Sequence, residues 1–296
     1  MQTIKSIWQK NWLGYLFLSP WLIGLLCLTA IPMAASLYLS FTNYDMFTAP
    51  QWVGFENYGD MFDDRKWLAS VKVTAIFVFL GVPLQLSFAL AIALLLNKGI
   101  SGLKVYRAAY YVPSLFGGSV AIAILWRQLF GGDGLVNHAL SLVGIEGMNW
   151  IATPDTALYT LVVLTVWQFG APMVIFLAGL QQIPVDLYEA ARIDGANKMK
   201  QFISITIPML SPIIFFNLIM QIIASFQAFT QAYIVSGGTG GPLNSTLFYT
   251  LYLYQKGFTH FQMGYASAMA WILLFAIAII TALVFASAKK WVYYQE

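Results

Sequence analysis

The residues best able to handle a polar molecule lie where an apolar chain should have none. Asn217, Gln221 and Ser225 recur at four-residue spacing and are followed by Phe229. On a helix that spacing sets two amides and a hydroxyl along one face. Trp167 and Gln168 stand just before Gly170 and Pro172, where a kink would open the backbone, and Gln85 and Trp271 add an amide and an indole elsewhere. Amides donate and accept, as sugar hydroxyls require, and aromatic rings stack on the apolar faces of sugar rings. The same groups also serve as hydrogen-bonding glue between membrane helices, and residue type alone leaves both readings open. Gln168, Asn217, Gln221, Ser225 and Phe229 are the candidate lining of a carbohydrate pathway.

A second constellation is ionic. Glu189, Ala190, Ala191 and Gly195 lie in a polar island between stretches free of Asp, Glu, Lys and Arg, 30 residues long before it (156–185) and 55 after it (201–255). Pro184 suits the first turn of a helix, where its missing N–H costs nothing. Asp186 and Glu189 then fall near the positive end of the helix dipole. Leu187, Ala190 and Ala191 share one face, and the two alanines let another surface come close. Gly195 is expected to take the left-handed conformation that ends a helix. A second helix from about Asn197 leads into Pro208 and Pro212. By chemistry alone this unit fits either a docking surface for a soluble partner or a loop helix lying on the membrane.

Other chemistries lack their residues. No G-x-x-x-x-G-K-[ST] loop is present to cradle nucleotide phosphates. No carboxylate falls within an apolar segment, which argues against proton coupling through intramembrane acids. His138 and His260 are far apart and outside any H-E-x-x-H pattern, and no nucleophile–base set stands out. The net charge of +3 is spread thinly and carries no nucleic-acid signal. The lone Cys27 excludes an internal disulfide.

The elements that must position these residues are membrane helices. The 296 residues are 59% hydrophobic and 9% charged, against about 25% charged in soluble domains. Six segments reach the roughly 20 apolar residues of a crossing: 13–38, 69–96, 109–130, 158–180, 207–234 and 265–288. The first is too long for a signal peptide, lacks a good cleavage site and reads as an uncleaved anchor. The apolar run 247–254 is too short to cross and reads as an external or re-entrant loop, and 135–145 reads as a surface helix. With both termini inside, ten cations (Lys5, Lys10, Lys98, Lys104, Arg107, Arg192, Lys198, Lys200, Lys289, Lys290) face the cytoplasm and five (Arg65, Lys66, Lys72, Arg127, Lys256) face outward. Lys72 and Arg127, just inside segment ends, can snorkel. Trp8, Trp12 and Trp291 at inner ends and Trp126 at an outer end fit an aromatic belt. The expected fold is all-α: a multi-pass bundle of six transmembrane helices in the cell membrane, with the Glu189 helix in a cytoplasmic loop between spans 4 and 5. Residues 1–68 form an N-terminal span and external loop, and 69–288 form the core.

Glu189-Ala190-Ala191, Gly195, Ile205 and Pro208 resemble the E-A-A-x3-G-x9-I-x-L-P signature of binding-protein-dependent ABC importer permeases, with Ile207 in place of Leu. Gln181-Gln182-Ile183-Pro184, Tyr106-Arg107 with Pro113, and Gly264-Tyr265-Ala266-Ser267-Ala268 resemble the sugar-permease branch, which includes the maltose and glycerol-3-phosphate permeases. The resemblance implies a non-catalytic subunit importing a carbohydrate, an oligosaccharide in the leading reading. Its partners would be a second permease, ATP-binding subunits that hold the ATP and magnesium, and an extracytoplasmic solute-binding protein. This chain would bind no cofactor. It also implies that Glu189, Ala190, Ala191 and Gly195 belong to the coupling helices that seat in the ATPase. The competing reading is an ion-coupled secondary transporter that works without an ATPase.

Overall fold

A computed structural model of the chain describes residues 2–98 and 102–293, with side chains from Trp12 onward. The expectations for Lys5, Trp8 and Lys10 lie outside the described side chains. The chain divides into two compact units, Met1–Met61 with Tyr254–Leu273, and Phe62–Leu253 with Leu274–Glu296.

In the first unit, α1 (Gln2–Leu25), a π-helical turn (Leu26–Ala30) and α2 (Ile31–Ser40) follow without a break. The stretch Trp12–Ser40 is long and apolar enough to cross a membrane. No residue from Trp12 to Leu39 is buried. Phe41 breaks the helix, and β1 (Thr42–Asn43) pairs antiparallel with β2 (Gln51–Trp52), Thr42 opposite Trp52. The turn is held by α3 (Glu56–Asp63), which straddles the unit boundary. Asn57 Nδ2 donates to the carbonyls of Ser40 and Thr42 at 2.9 Å each, and the Tyr58 hydroxyl donates to Ser40 Oγ at 2.8 Å. Phe41 packs against Trp52, Phe55 and Tyr58, with ring centroids 5.2–5.5 Å apart. Gly264 sits against this turn so tightly that a Cβ would stand 2.0 Å from the Thr42 carbonyl oxygen.

The second unit is built on α4 (Arg65–Leu96). Asp64 caps it in an extended conformation, its carboxylate accepting from the backbone N–H groups of Lys66 and Trp67. Phe77, Val78, Val82, Leu86, Ala89 and Ala93 bury one face, the two alanines letting neighbours approach closely. Next come α5 (Leu103–Phe116), α6 (Val120–Leu129), the exposed α7 (Leu135–Ser141), α8 (Pro154–Trp167) and α9 (Gly170–Leu180). α4 packs against both α8 and α9. The chain continues through α10 (Val185–Ile193), α11 (Lys198–Gln201), a second π-helical turn (Phe202–Thr206) and α12 (Ile207–Phe226). It ends with α13 (Thr230–Val235), α14 (Tyr249–Tyr254), a third π-helical turn (Gln255–Thr259) and α15 (Met263–Trp291).

Among the described residues four continuous helices could cross a membrane, and two bent pairs bring the number to as many as six. Two expected spans need correction. Segment 109–130 is not one straight helix, because α5 and α6 meet at 97° where Gly117 and Gly118 interrupt the apolar run. Segment 207–234 stops being helical after Phe226, so Phe229 lies in a break before α13. The kink expected near Gly170 is present, α8 and α9 bending by 41° at Gln168–Phe169. Leu247, Phe248, Leu251 and Tyr252 of the short apolar run are almost fully buried, so it packs into the protein. Trp126 is also interior: it is 7% exposed and its Nε1 donates to the Thr160 carbonyl at 2.9 Å, which removes it from an aromatic belt.

Candidate functional site

Two sites emerge, one ionic and exposed, one polar and enclosed. In the first, Pro184 stands at the N-cap of α10, one position before the first turn. Glu189 and Ala190 are exposed and Ala191 is half-buried. Gly195 is left-handed at φ +76. The Ala196 N–H donates to the Ala191 carbonyl at 2.8 Å and the Gly195 N–H to the Arg192 carbonyl at 3.0 Å. That pair of bonds is the Schellman closure, which satisfies carbonyls a helix end otherwise strands. Asn197 caps α11 by accepting from the Lys200 N–H at 2.9 Å. From Lys198 to Phe226 the helix is continuous, its π-helical turn included. Tyr188 on α10 and Thr206 at the foot of α12 share a hydroxyl hydrogen bond of 2.9 Å. α10 is therefore fastened to the long helix both through the chain and across space. Val185, Leu187, Ile193 and Met199 leave apolar side chains exposed around Glu189.

The second site gathers at the two helix breaks. A broken helix strands carbonyls, and lipid offers no water to satisfy them. Side chains do so here. The Gln168 carbonyl accepts from Gln85 Nε2 at 3.2 Å and from Ser114 Oγ at 2.9 Å. Ser114 Oγ accepts in turn from the Ala171 N–H at 2.9 Å. The Gly117 carbonyl accepts from Gln168 Nε2 at 3.0 Å and Gln231 Nε2 at 3.3 Å. A Cβ at 117 would lie 2.2 Å from the Gln168 side chain, so a larger residue there would displace Gln168 from the Gly117 carbonyl. Gln85 is 3% exposed and its Oε1 has no hydrogen-bond partner, leaving one buried acceptor open.

Of the sequence-derived candidates, Gln168 and Gln85 meet in this cluster. Asn217 and Ser225 are buried, and Asn217 Nδ2 has no hydrogen-bond partner; Gln221 is half-buried. Phe229 is half-buried against the ring of Tyr233, centroids 5.4 Å apart. Among the described residues no hydrogen bond joins Asn217, Gln221 or Ser225 to the Gln168 cluster. Trp271 is half-buried, and His138 and His260 are exposed. Sequence reasoning missed Ser114, Gly117 and Gln231. The paired glycines at 117 and 118 inside an apolar run were the available signal.

Comparison with known proteins places this architecture. The family described as Binding-protein-dependent transport system inner membrane component matches residues 62–292. The chain is 54% identical over 298 residues to the probable ABC transporter permease protein YesP of Bacillus subtilis (strain 168), covering 100% of this chain and 96% of that one. It is 32% identical over 279 residues to the probable starch degradation products transport system permease protein AmyD of Thermoanaerobacterium thermosulfurigenes, 94% of each being covered. Its fold matches a crystal structure of a bacterial ABC transporter involved in the import of the acidic polysaccharide alginate, with a TM-score of 0.78 at 21% identity, over 97% and 99% of the two chains. The matched family region contains both the α10 loop and the two broken helix pairs, and this chain belongs to the binding-protein-dependent transport system inner membrane components.

Proposed function

We propose that this chain is one membrane half of an ATP-driven importer and passes an oligosaccharide delivered by an extracytoplasmic solute-binding protein. Membership in a binding-protein-dependent family supports the delivery step, and a relative named for starch degradation products supports the substrate class. Family membership also displaces the gradient-driven alternative. The chain is a non-catalytic membrane subunit. A second, different permease completes the pathway, and separate subunits hold ATP and magnesium. In this reading each bent pair makes one crossing, giving six, with both termini cytoplasmic as the ten-to-five cation bias favours. Residues 1–68 then form the leading span and external loop, and 69–288 the translocating core.

The observation that carries the reading is the exposed α10 step joined without a break to the Lys198–Phe226 helix. Glu189, Ala190, Ala191 and Gly195 seat that step in the ATPase. When the ATPase closes, the Schellman turn and the Tyr188–Thr206 bond make α10 move with α12 rather than swing freely. Gln168, Asn217, Gln221, Ser225 and Phe229 line the route, and the amides at the helix breaks exchange backbone partners for sugar hydroxyls as the bends change.

The test is uptake of a radiolabelled maltooligosaccharide by proteoliposomes holding the assembled transporter and its binding protein. Glu189→Lys is expected to insert normally, to lose ATPase pull-down and to cut uptake about tenfold or more, because like or unpaired charges at an interface are costly. Unchanged pull-down and uptake would remove Glu189 from the coupling site.

A further inference from the structure

We infer that the groove between α5 and α9 binds an anionic phospholipid of the cytoplasmic leaflet, its phosphate on Arg107 and its acyl chain along α9. The inference rests on the proposed orientation. The groove has a volume of about 380 Å³ and is lined by Arg107, Ala108 and Tyr111 of α5 and by Ala171, Val174 and Ile175 of α9. Arg107 is the one charge in this lining, and its Nε is buried with no hydrogen-bond partner. A guanidinium keeps its charge under any ordinary condition and offers a planar fork that fits phosphate. Neither α5 nor α9 carries an Asp or Glu to answer it.

Charge and depth both select a lipid. Lys104 lies one turn before Arg107, and Lys98 follows the end of α4, so the same end of the protein is basic. Basic pockets between membrane helices on the cytoplasmic side take anionic headgroups. Ala171, Val174 and Ile175 lie five to nine positions before Leu180, the last residue of α9. At 1.5 Å per residue that is about 8–14 Å from the helix end, the depth of acyl carbons beneath a headgroup bound at Arg107. α5 and α9 come together closely at the inner end of the groove, where a Cβ on Gly170 would lie 2.1 Å from the Tyr110 carbonyl oxygen.

The experiment uses the full chain assembled with its partner subunits, delipidated and titrated by native mass spectrometry. The probes are phosphatidylglycerol, phosphatidylethanolamine and inorganic phosphate. Phosphatidylglycerol is expected to remain bound to this chain at concentrations where the other two do not. Arg107→Gln should weaken its retention about tenfold, and Val174→Trp, which fills the acyl groove and keeps the charge, should weaken it as well. Equal retention in wild type and both variants overturns the site. A crosslink from Tyr111→Cys to the second permease overturns it too, since a protein would then cover the groove. Lipid retention is read without transport, so its failure is separable from a failure of the uptake assay that tests the importer.

Discussion

Gly170 sets the distance between α5 and α9 more tightly than any side-chain contact could. A methyl group there would meet the Tyr110 carbonyl oxygen at 2.1 Å, Tyr111 Cα at 2.8 Å and Ser114 Oγ at 2.9 Å. Gly170→Ala is therefore expected to cost about 1–3 kcal/mol by overpacking and to lower the melting temperature of the assembled protein in detergent. Gly24→Ala, with nothing within 4 Å, should leave it unchanged; equal shifts in both would refute the close approach. Gly195 is a different case, open in space but left-handed. Its role as a helix stop was legible because one residue governs it. The Gln168 cluster was legible only in part. Gln168 and Gln85 stood out as amides in apolar sequence, but that they answer stranded carbonyls follows from where two helices break. Nothing in the residue types of Ser114 or Gln231 says that a carbonyl waits beside them.

At the scale of elements, the π-helical turn Phe202–Thr206 lies between the coupling step and α12. Such a turn holds one residue more than an α-turn. Adding one alanine after exposed Ser204, beyond the residue the π-helical turn already absorbs, should rotate the α10 loop by about 100° relative to α12, parting Tyr188 from Thr206. Uptake should be lost while membrane insertion persists, and normal uptake by the insertion variant would show that phasing across this turn is irrelevant. α14 is held to the start of α4 by the Tyr252 hydroxyl, which donates to Asp64 Oδ2 while Oδ1 caps α4. Burial, reinforced by the hydrogen bond and charge of Asp64, pushes the Tyr252 phenol well above its usual value. A raised folded-state pKa contributes stability that is complete below the unfolded value of about 10 and is lost as pH rises beyond it. Alkaline unfolding monitored above about pH 10 should therefore be blunted in Tyr252→Phe, at a cost near neutrality of about 0.5–1.5 kcal/mol. An unaltered alkaline limb would exclude Tyr252 as its source. The burial of α14 was hidden in the sequence, since a short, largely apolar run looks the same on a surface and packed inside a fold.

For the whole molecule, composition was enough to place the chain in a membrane, because so few charges leave no other solvent for its surface. The count of crossings was less legible. Hydropathy records length and not direction, and it passes over a 97° turn at Gly117–Ser119 without a change of signal. Orientation is testable with a single label. In a Cys27→Ala background, Lys198→Cys should react with a membrane-impermeant maleimide only from the cytoplasmic side, and labelling from outside would reverse the topology. The leading helix has the widest consequence. From Trp12 to Leu39 no residue is fully buried and most are exposed, so contacts within the chain constrain its sequence only weakly. A saturation scan of residues 13–38 would thus record the surroundings: even tolerance of any apolar exchange means fluid lipid all round, and a forbidden stripe every three or four positions is the imprint of a neighbouring subunit.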